Sequence, residues 1–414
     1  MSTQPSPRPL PERPRLRHLK DQARDLFKAG GAESLTQAQF RIAREYGFAS
    51  WARLKAHVES LDRAGQLKIA IDDNDVAGVV RLMTADPELH RTPVMAKGDL
   101  PLTYVTRCLM PRAWPHLSPR QREALVEARF EIAEWMLAHG SDIHQSTDAP
   151  LANALAPNRL RMAEFLIAHG ANVNAEMWGW FPMLFFPCEN VEPDVLKVLL
   201  QHGANPNSAP VGGRAPGTAL DYVISTYVRR PPDLAACIDL LLAAGGTTRF
   251  DIPVVMDLLR GRVDKVAEHL DADPSLVHAP FPQLEFGVTG GRNMTLLGAT
   301  LLHVAAEFQN LEAATLLLDR GADVNARATV DDHGVGGQTP IFHSATQFSD
   351  EGLPVTRLLV ERVADLTMRA KVRGHYERPG EFVECTPLGF ALHLEEVAHK
   401  PKTIAFLRER GAPE

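Results

Sequence analysis

The sequence predicts an all-α fold in which pairs of short helices recur along most of its 414 residues. The clearest pair lies in residues 300–326, where Thr300 can cap a short first helix and an amphipathic second helix follows. Gly321 stands where the second helix must end in a left-handed conformation, which glycine adopts at little cost. One such pair cannot bury its own apolar face. We therefore expect stacked neighbours on both sides of it.

The same pattern recurs from about residue 64 to the C-terminus. Each predicted unit opens with a short apolar helix and closes at or near a glycine, although the first and sixth units fit the pattern least. Val363 takes the place of the expected glycine in the eighth. The units are predicted to begin near Leu67, Leu100, Ala149, Phe181, Thr218, Val254, Thr300, Thr339 and Thr386. We expect high helical content and negligible sheet.

The opening of the clearest unit, Thr300-Leu301-Leu302-His303-Val304-Ala305, resembles that of an ankyrin repeat, with leucine in place of the usual proline. The resemblance implies an α-solenoid of stacked ankyrin-type helix pairs, with about nine repeats in residues 64–414. It also implies that His303 forms main-chain hydrogen bonds between adjacent units and is structural.

The N-terminal region does not follow the repeat pattern. Residues 1–14 are rich in proline, which predicts a disordered tail. Residues 15–63 carry three short amphipathic patterns that predict a helical cap over the first repeat. The segment Ile42–Lys55 resembles one that precedes ankyrin arrays in bacterial proteins, so we expect a bacterial source.

Composition bounds the possible partners and the compartment. The chain has 44 Lys and Arg against 51 Asp and Glu, a net charge of −7, which argues against nucleic-acid or anionic-membrane binding. No apolar run reaches the roughly 18–20 residues that span a bilayer. The four cysteines are scattered without a CxxC pair, which predicts no metal site and fits a reducing, cytoplasmic compartment. We expect no cofactor.

Several repeats exceed the usual length of about 33 residues, and the excess falls between the outer helix of one unit and the inner helix of the next. Insertions at equivalent positions of a solenoid project from one face, often the binding face. In ankyrin arrays this is the finger side, beside the concave surface. We call these segments the finger inserts: roughly residues 105–117, 175–182, 208–217, 279–298, 327–338 and 368–385.

The resemblance favours an interaction scaffold that binds a protein or peptide on its concave and finger face. The alternative is a small-molecule-binding protein or a cofactor-independent acid–base enzyme, with a pocket formed by the finger inserts. Aromatic, arginine and histidine residues of the inserts are the candidates for binding a ligand or partner: Trp178, Trp180, Phe181, Phe286, Arg292, His333 and Tyr376. Histidines and carboxylates of the last two junctions are the catalytic candidates: His343, His375, Asp331 and Glu377.

Overall fold

The computed structural model describes residues 8–11, 16–95, 98–107, 118–156, 159–210, 217–226, 228–282, 284, 294–374, 378 and 380–414. The chain divides into two compact units. Unit 1 comprises Met1–Ala154 and Arg161–Asn172, and unit 2 comprises Leu155–Leu160 and Val173–Glu414. Both are built mainly of short helices joined in pairs, which confirms the predicted all-α repeat class.

Unit 1 begins with three helices that share a core of their own. Buried side chains between Leu19 and Val58 form this core, and Leu10 and Trp51 pack against it. In the helices that follow, α4 packs against α3 and α5 against α6, and successive repeats contact each other through α5 with α7 and α4 with α6. The helices are α1 (Leu16–Lys28), α2 (Leu35–Glu45), α3 (Trp51–Asp72), α4 (Val76–Ala85), α5 (Pro101–Arg107), α6 (Pro119–Ala138), α7 (Gln145–Ala154) and α8 (Leu160–Ala168).

Two observations concern the N-terminal region, whose predicted bounds stay predictions. The proposed boundary between cap and repeats, at residues 63–64, falls inside α3, which is one continuous helix. Part of the predicted tail is also in contact with the folded chain, because the Arg8 N–H donates to the Glu45 carbonyl oxygen at 2.8 Å. The Arg8 guanidinium lies 5.4 Å from the centre of the Tyr46 ring. That this region covers the first repeat stays a prediction.

Unit 2 contains the remaining helix pairs. The inner helices α13, α15, α17 and α19 pack in succession, and the outer helices α14, α16, α18 and α21 do the same. The helices are α9 (Phe185–Asn190), α10 (Pro193–Gln201), α11 (Ala219–Ser225), α12 (Pro231–Ala243), α13 (Pro253–Leu259), α14 (Val263–Ala272), α15 (Leu301–Glu307), α16 (Leu311–Asp319), α17 (Pro340–Ala345), α18 (Leu353–Glu361), α19 (Pro387–His393), α20 (Glu395–Ala398) and α21 (Pro401–Glu409).

Two finger inserts of unit 2 form antiparallel hairpins, where the sequence predicted negligible sheet. Strands β1 (Glu176–Met177) and β2 (Phe181–Pro182) form the first hairpin, and β3 (Ala370–Arg373) and β4 (Phe382–Cys385) form the second. In the second, Ala370 pairs with Cys385 and Arg373 pairs with Phe382. The first hairpin holds the candidate binding residues Trp178, Trp180 and Phe181 on defined backbone positions.

The end of α18 shows how the chain closes a repeat without glycine. Val363 has φ +68°, in the left-handed region, and its side chain is 79% exposed. The closing hydrogen bond is retained, since the Ala364 N–H donates to the Leu359 carbonyl oxygen at 2.9 Å. A β-branched residue is strained there because its Cβ crowds the backbone.

Across the ranges given above, no helix combines the length and the apolar character needed to cross a bilayer.

Candidate functional site

The first hairpin presents an exposed aromatic side chain at its turn. Trp178 is 66% exposed and has φ +56°, a conformation that non-glycine residues rarely adopt. The turn is closed by two hydrogen bonds, from Gly179 N–H to the Glu176 carbonyl oxygen and from Trp180 N–H to the Met177 carbonyl oxygen, each 3.1 Å long. A large apolar ring held outward by a strained turn is typical of a functional position.

The other aromatic residues of this hairpin anchor it to the helices. Phe181 is only 6% exposed, and its ring lies edge-on to Phe185 of α9 at 5.6 Å and to Tyr222 of α11 at 6.0 Å. Trp180 is half-buried and lies 6.4 Å from Trp178 between ring centres. The structure therefore brings the three predicted aromatic residues together and leaves one of them largely in solvent.

The finger insert 327–338 lies against the second hairpin. The Gly336 N–H donates to the Lys371 carbonyl oxygen at 2.8 Å. The ammonium of Lys371 donates to the His333 carbonyl oxygen at 3.1 Å. These bonds place the exposed His333 side chain beside β3, on the same side of unit 2 as the hairpin.

Asp331 shapes its own turn. Its carboxylate accepts the main-chain N–H groups of His333 and Val335, each at 2.9 Å. The hydrogen bond from Val335 is the main cause that lowers the pKa of Asp331, and the charge of Arg373 lowers it further. An exposed carboxylate that stays ionised and is committed to a turn is a poor general base. Its predicted catalytic role stays untested.

His343 lies in a fully buried ionic cluster. Its side chain and that of Glu307 are both 0% exposed, and its Nδ1 lies 2.9 Å from Glu307 Oε2. The other carboxylate oxygen, Oε1, lies 3.1 Å from Arg229 Nη2. The Arg229 guanidinium also stacks over Phe308, 4.4 Å from the ring centre. The carboxylate that contacts His343 is therefore Glu307, which the sequence analysis did not single out.

Gln347 joins this cluster to the main chain. Its side-chain amide donates to the carbonyl oxygens of Glu307 and His343, each at 2.9 Å. All seven residues of α15 and all six of α17 are buried. In these two repeats the inner helices therefore present no side chain to solvent, and the catalytic role of His343 stays a prediction.

His303 has the linking role that the resemblance implied. Its Nδ1 accepts the Thr300 N–H at 3.1 Å, so Nε2 carries the proton and donates to the Gln338 carbonyl oxygen at 3.1 Å. Burial, with a smaller contribution from the charge of His343, lowers the pKa of His303 to about 3. The imidazole is neutral at physiological pH.

Five predicted site residues lie outside the described residues, and their roles stay predictions: Phe286, Arg292, His375, Tyr376 and Glu377. Within the described part of the chain, no group of three or more His, Cys, Asp or Glu side chains is placed to hold a metal ion.

Three features of the site were not predicted from the sequence. Glu307 ends an inner helix whose other residues, apart from His303, are apolar, and a lone carboxylate in such a stretch indicates a buried charge. The residues of β3 and β4 alternate between buried Ala370, Val372 and Cys385 and the exposed Arg373 and Phe382, a period of two that indicates a strand. No local sequence pattern indicates the contact of Arg229 with Glu307, because the two residues are 78 positions apart.

Comparison with known proteins identifies one repeat directly. Residues 297–329 match the family model described as ankyrin repeat, and this segment contains α15 and α16. No curated protein is similar in sequence to the chain.

Solved structures with some similarity include two ankyrin repeat domains. The human ASB11 ankyrin repeat domain is 23% identical, with a TM-score of 0.31, and the match covers 62% of this chain and 96% of that one. An ankyrin repeat domain from Acinetobacter baumannii is 17% identical, with a TM-score of 0.37, and the match covers 63% of this chain and 99% of that one. Because both TM-scores are low, neither structure informs the arrangement or the function of this chain. The chain therefore contains an ankyrin repeat at residues 297–329, and helix pairs lie on both sides of it.

Proposed function

We propose that the chain binds a protein or peptide partner through the finger inserts of unit 2. Ankyrin repeats are general protein-interaction modules. The observation that carries the proposal is the pair of hairpins that hold large apolar rings in solvent, with Trp178 66% and Phe382 43% exposed. Exposed aromatic residues on rigid supports lose little conformational entropy on binding and are frequent energetic centres of interfaces.

Because the inner helices are buried, we propose the finger inserts, and not the concave face, as the binding surface of these repeats. Since α15 and α17 are buried along their whole length, repeats seven and eight offer a partner their finger inserts rather than their inner helices. This burial supports the finger part of the expected surface as the proposed contact in these repeats.

The acid–base alternative has one supporting observation, the 2.9 Å contact between His343 and Glu307. A general base must reach the substrate proton directly or through one water molecule. Both side chains are 0% exposed, and Arg229 already neutralises the carboxylate. This geometry supports a structural ion cluster better than a catalytic pair.

The test is quantitative affinity capture from an extract of the source cells, with the full chain as bait. We expect Trp178→Ala or Phe382→Ala to weaken capture of the specific partner by about 2 kcal/mol, the loss typical of a central interface residue. Leu311→Ala is the matched control, because Leu311 is an apolar residue 42% exposed on the outer helix α16 of the same unit. Circular dichroism establishes that each variant is folded. Equal capture by all three variants contradicts the proposal.

A further inference from the structure

We propose that the open edge of β4 binds an extended, acidic peptide segment of the partner, which adds to the hairpin as a third strand. This inference rests on the proposed function and specifies the partner chemistry at the second hairpin. Three observations support it: the main-chain register of the hairpin, the cations on its exposed face and the exposed ring of Phe382.

The register shows that β4 has main-chain groups directed outward. The Gly374 N–H donates to the Glu381 carbonyl oxygen at 2.9 Å, so this cross-strand pair is hydrogen-bonded. Bonded and non-bonded pairs alternate in an antiparallel ladder, and the next pair, Arg373 with Phe382, is therefore non-bonded. The N–H and C=O of Phe382 consequently point away from β3. By the same alternation the main-chain groups of Glu384 also point outward.

The two edges of the hairpin differ in occupancy. On the β3 edge, the Lys371 carbonyl oxygen accepts the Gly336 N–H at 2.8 Å, so the insert 327–338 already pairs there. On the β4 edge, the Arg369 guanidinium donates to the Glu384 carbonyl oxygen at 2.7 Å. Phe382 and Glu384 are both exposed, which leaves space for an additional strand. Exposed edges of this kind accept extended peptides through main-chain hydrogen bonds.

The exposed face of the hairpin is basic around an apolar ring. The ammonium of Lys371 lies 5.4 Å and the guanidinium carbon of Arg373 lies 5.6 Å from the centre of the Phe382 ring. Arg369, Lys371 and Arg373 are spaced two residues apart. Because every second side chain of a strand lies on the same face, the three cations form one row, which we call the basic row.

The acidic groups that face this row are fewer. Glu384 is opposite Lys371, and the charge of Arg373 acts on the carboxylate of Asp331. Among the described residues, three cations therefore meet two carboxylates on this face, although the chain as a whole carries −7. A segment in which carboxylates alternate with apolar side chains would direct all its carboxylates to the face of the basic row. Its apolar side chains would lie on the opposite face, beside Val383 and Cys385.

The direct test is fluorescence anisotropy with a dye-labelled decapeptide of alternating glutamate and valine, titrated with the full chain at low ionic strength. Two control peptides separate the contributions. One replaces glutamate by lysine and tests charge. The other keeps the side chains but carries N-methyl groups on alternate main-chain nitrogens, which prevents strand pairing. We expect binding of the first peptide alone, with affinity that falls as salt is raised.

Variants test the edge and the charge separately. Glu384→Ala removes a repelling carboxylate and should tighten binding. Glu384→Pro removes the same carboxylate and also an outward N–H, a substitution that an edge strand accommodates. We expect Glu384→Pro to bind about tenfold more weakly than Glu384→Ala, the loss of roughly one good hydrogen bond. Arg373→Glu should weaken binding by at least tenfold, whereas Arg120→Glu, a reversal at an exposed arginine on α6, should leave it unchanged.

Any of three binding results would overturn the inference: no binding of the acidic peptide, equal binding of its N-methylated form, or equal effects of Arg373→Glu and Arg120→Glu. Light scattering that shows a dimer dissociated by Glu384→Pro would also overturn it, because a second copy of the chain would then occupy the edge. If the acidic peptide fails while Phe382→Ala still loses the captured partner, the inference falls and the proposed function stands. If Phe382→Ala and Trp178→Ala both retain that partner, the proposed function falls.

Discussion

Replacement of Glu307 by leucine would show how much the buried ion cluster contributes to the stability of unit 2. The carboxylate is fully buried and contacts Arg229 at 3.1 Å and His343 at 2.9 Å. Its removal leaves the Arg229 guanidinium, itself 2% exposed, buried without its counter-charge. Because an uncompensated buried charge is unfavourable, we expect Glu307→Leu to lower the free energy of unfolding by about 3–5 kcal/mol.

A double substitution distinguishes an uncompensated charge from simple loss of packing. Arg229→Met combined with Glu307→Leu removes both charges and keeps apolar volume. Its cost should be well below the sum of the two single costs, with a coupling energy of about 2 kcal/mol or more. Glu307→Gln keeps the shape and one acceptor oxygen, so its cost should fall between the wild type and Glu307→Leu.

The assay combines urea denaturation, followed by circular dichroism, with hydrogen exchange measured on peptides. Exchange is needed because repeat arrays open locally as well as globally. We expect Glu307→Leu to accelerate exchange in α15 and α17 and to leave α1 unchanged. A cost below about 1 kcal/mol for Glu307→Leu, or a double variant whose cost equals the sum of the single costs, would refute the reasoning.

Two further perturbations follow from the backbone and from a buried histidine. Val363→Gly should raise the free energy of unfolding by about 1 kcal/mol, because it relieves the strain at φ +68° and the 79% exposed side chain buries little surface. A melting temperature below that of the wild type would count against this. For His303, the pKa of about 3 lies below its ordinary value, so the unfolded chain takes up a proton that the native chain does not as the pH falls below 6.5. Between pH 7 and pH 5 this should remove about 2 kcal/mol of stability. Denaturation at both pH values should show a smaller loss for His303→Gln, and an equal loss would contradict the assignment.

The helix pairs were predictable because their signals are local. The predicted second helix of the clearest unit, Leu311 to Asp319, coincides with α16. Apolar spacing, a capping side chain and a closing glycine all lie within that unit, and the same signals recur in its neighbours. Where one signal was missing, at Val363, the backbone still adopted the left-handed conformation, because the surrounding repeat determines it.

The predicted boundary near residue 63 stays a prediction, and the structure shows one continuous helix, α3, across it. Gly65, close to this boundary, lies in the interior of α3, and no atom outside the helix lies within 4 Å of the position that a Cβ would occupy. A single glycine in a helix costs only about 1 kcal/mol relative to alanine, which the packing of the surrounding helices offsets.

The site was less predictable because its contacts join distant positions. His343 and Glu307 are 36 residues apart and meet only because α15 and α17 are adjacent inner helices. The second hairpin was overlooked because residues 368–385 were treated as one insert, although its strands carry alternating buried and exposed side chains. The aromatic residues near Trp178 were predictable as a cluster. Which of them is buried, as Phe181 is, and which is exposed, as Trp178 is, depends on the turn geometry.

The central claim is that the finger inserts of unit 2 contact the partner. Its most direct test is photocrosslinking, with a photoreactive amino acid in place of Trp178 or Phe382 and, for comparison, in place of Leu311 on the outer helix α16. The account predicts a covalent adduct with the captured partner from positions 178 and 382 and none from position 311. An adduct from position 311 alone would contradict it.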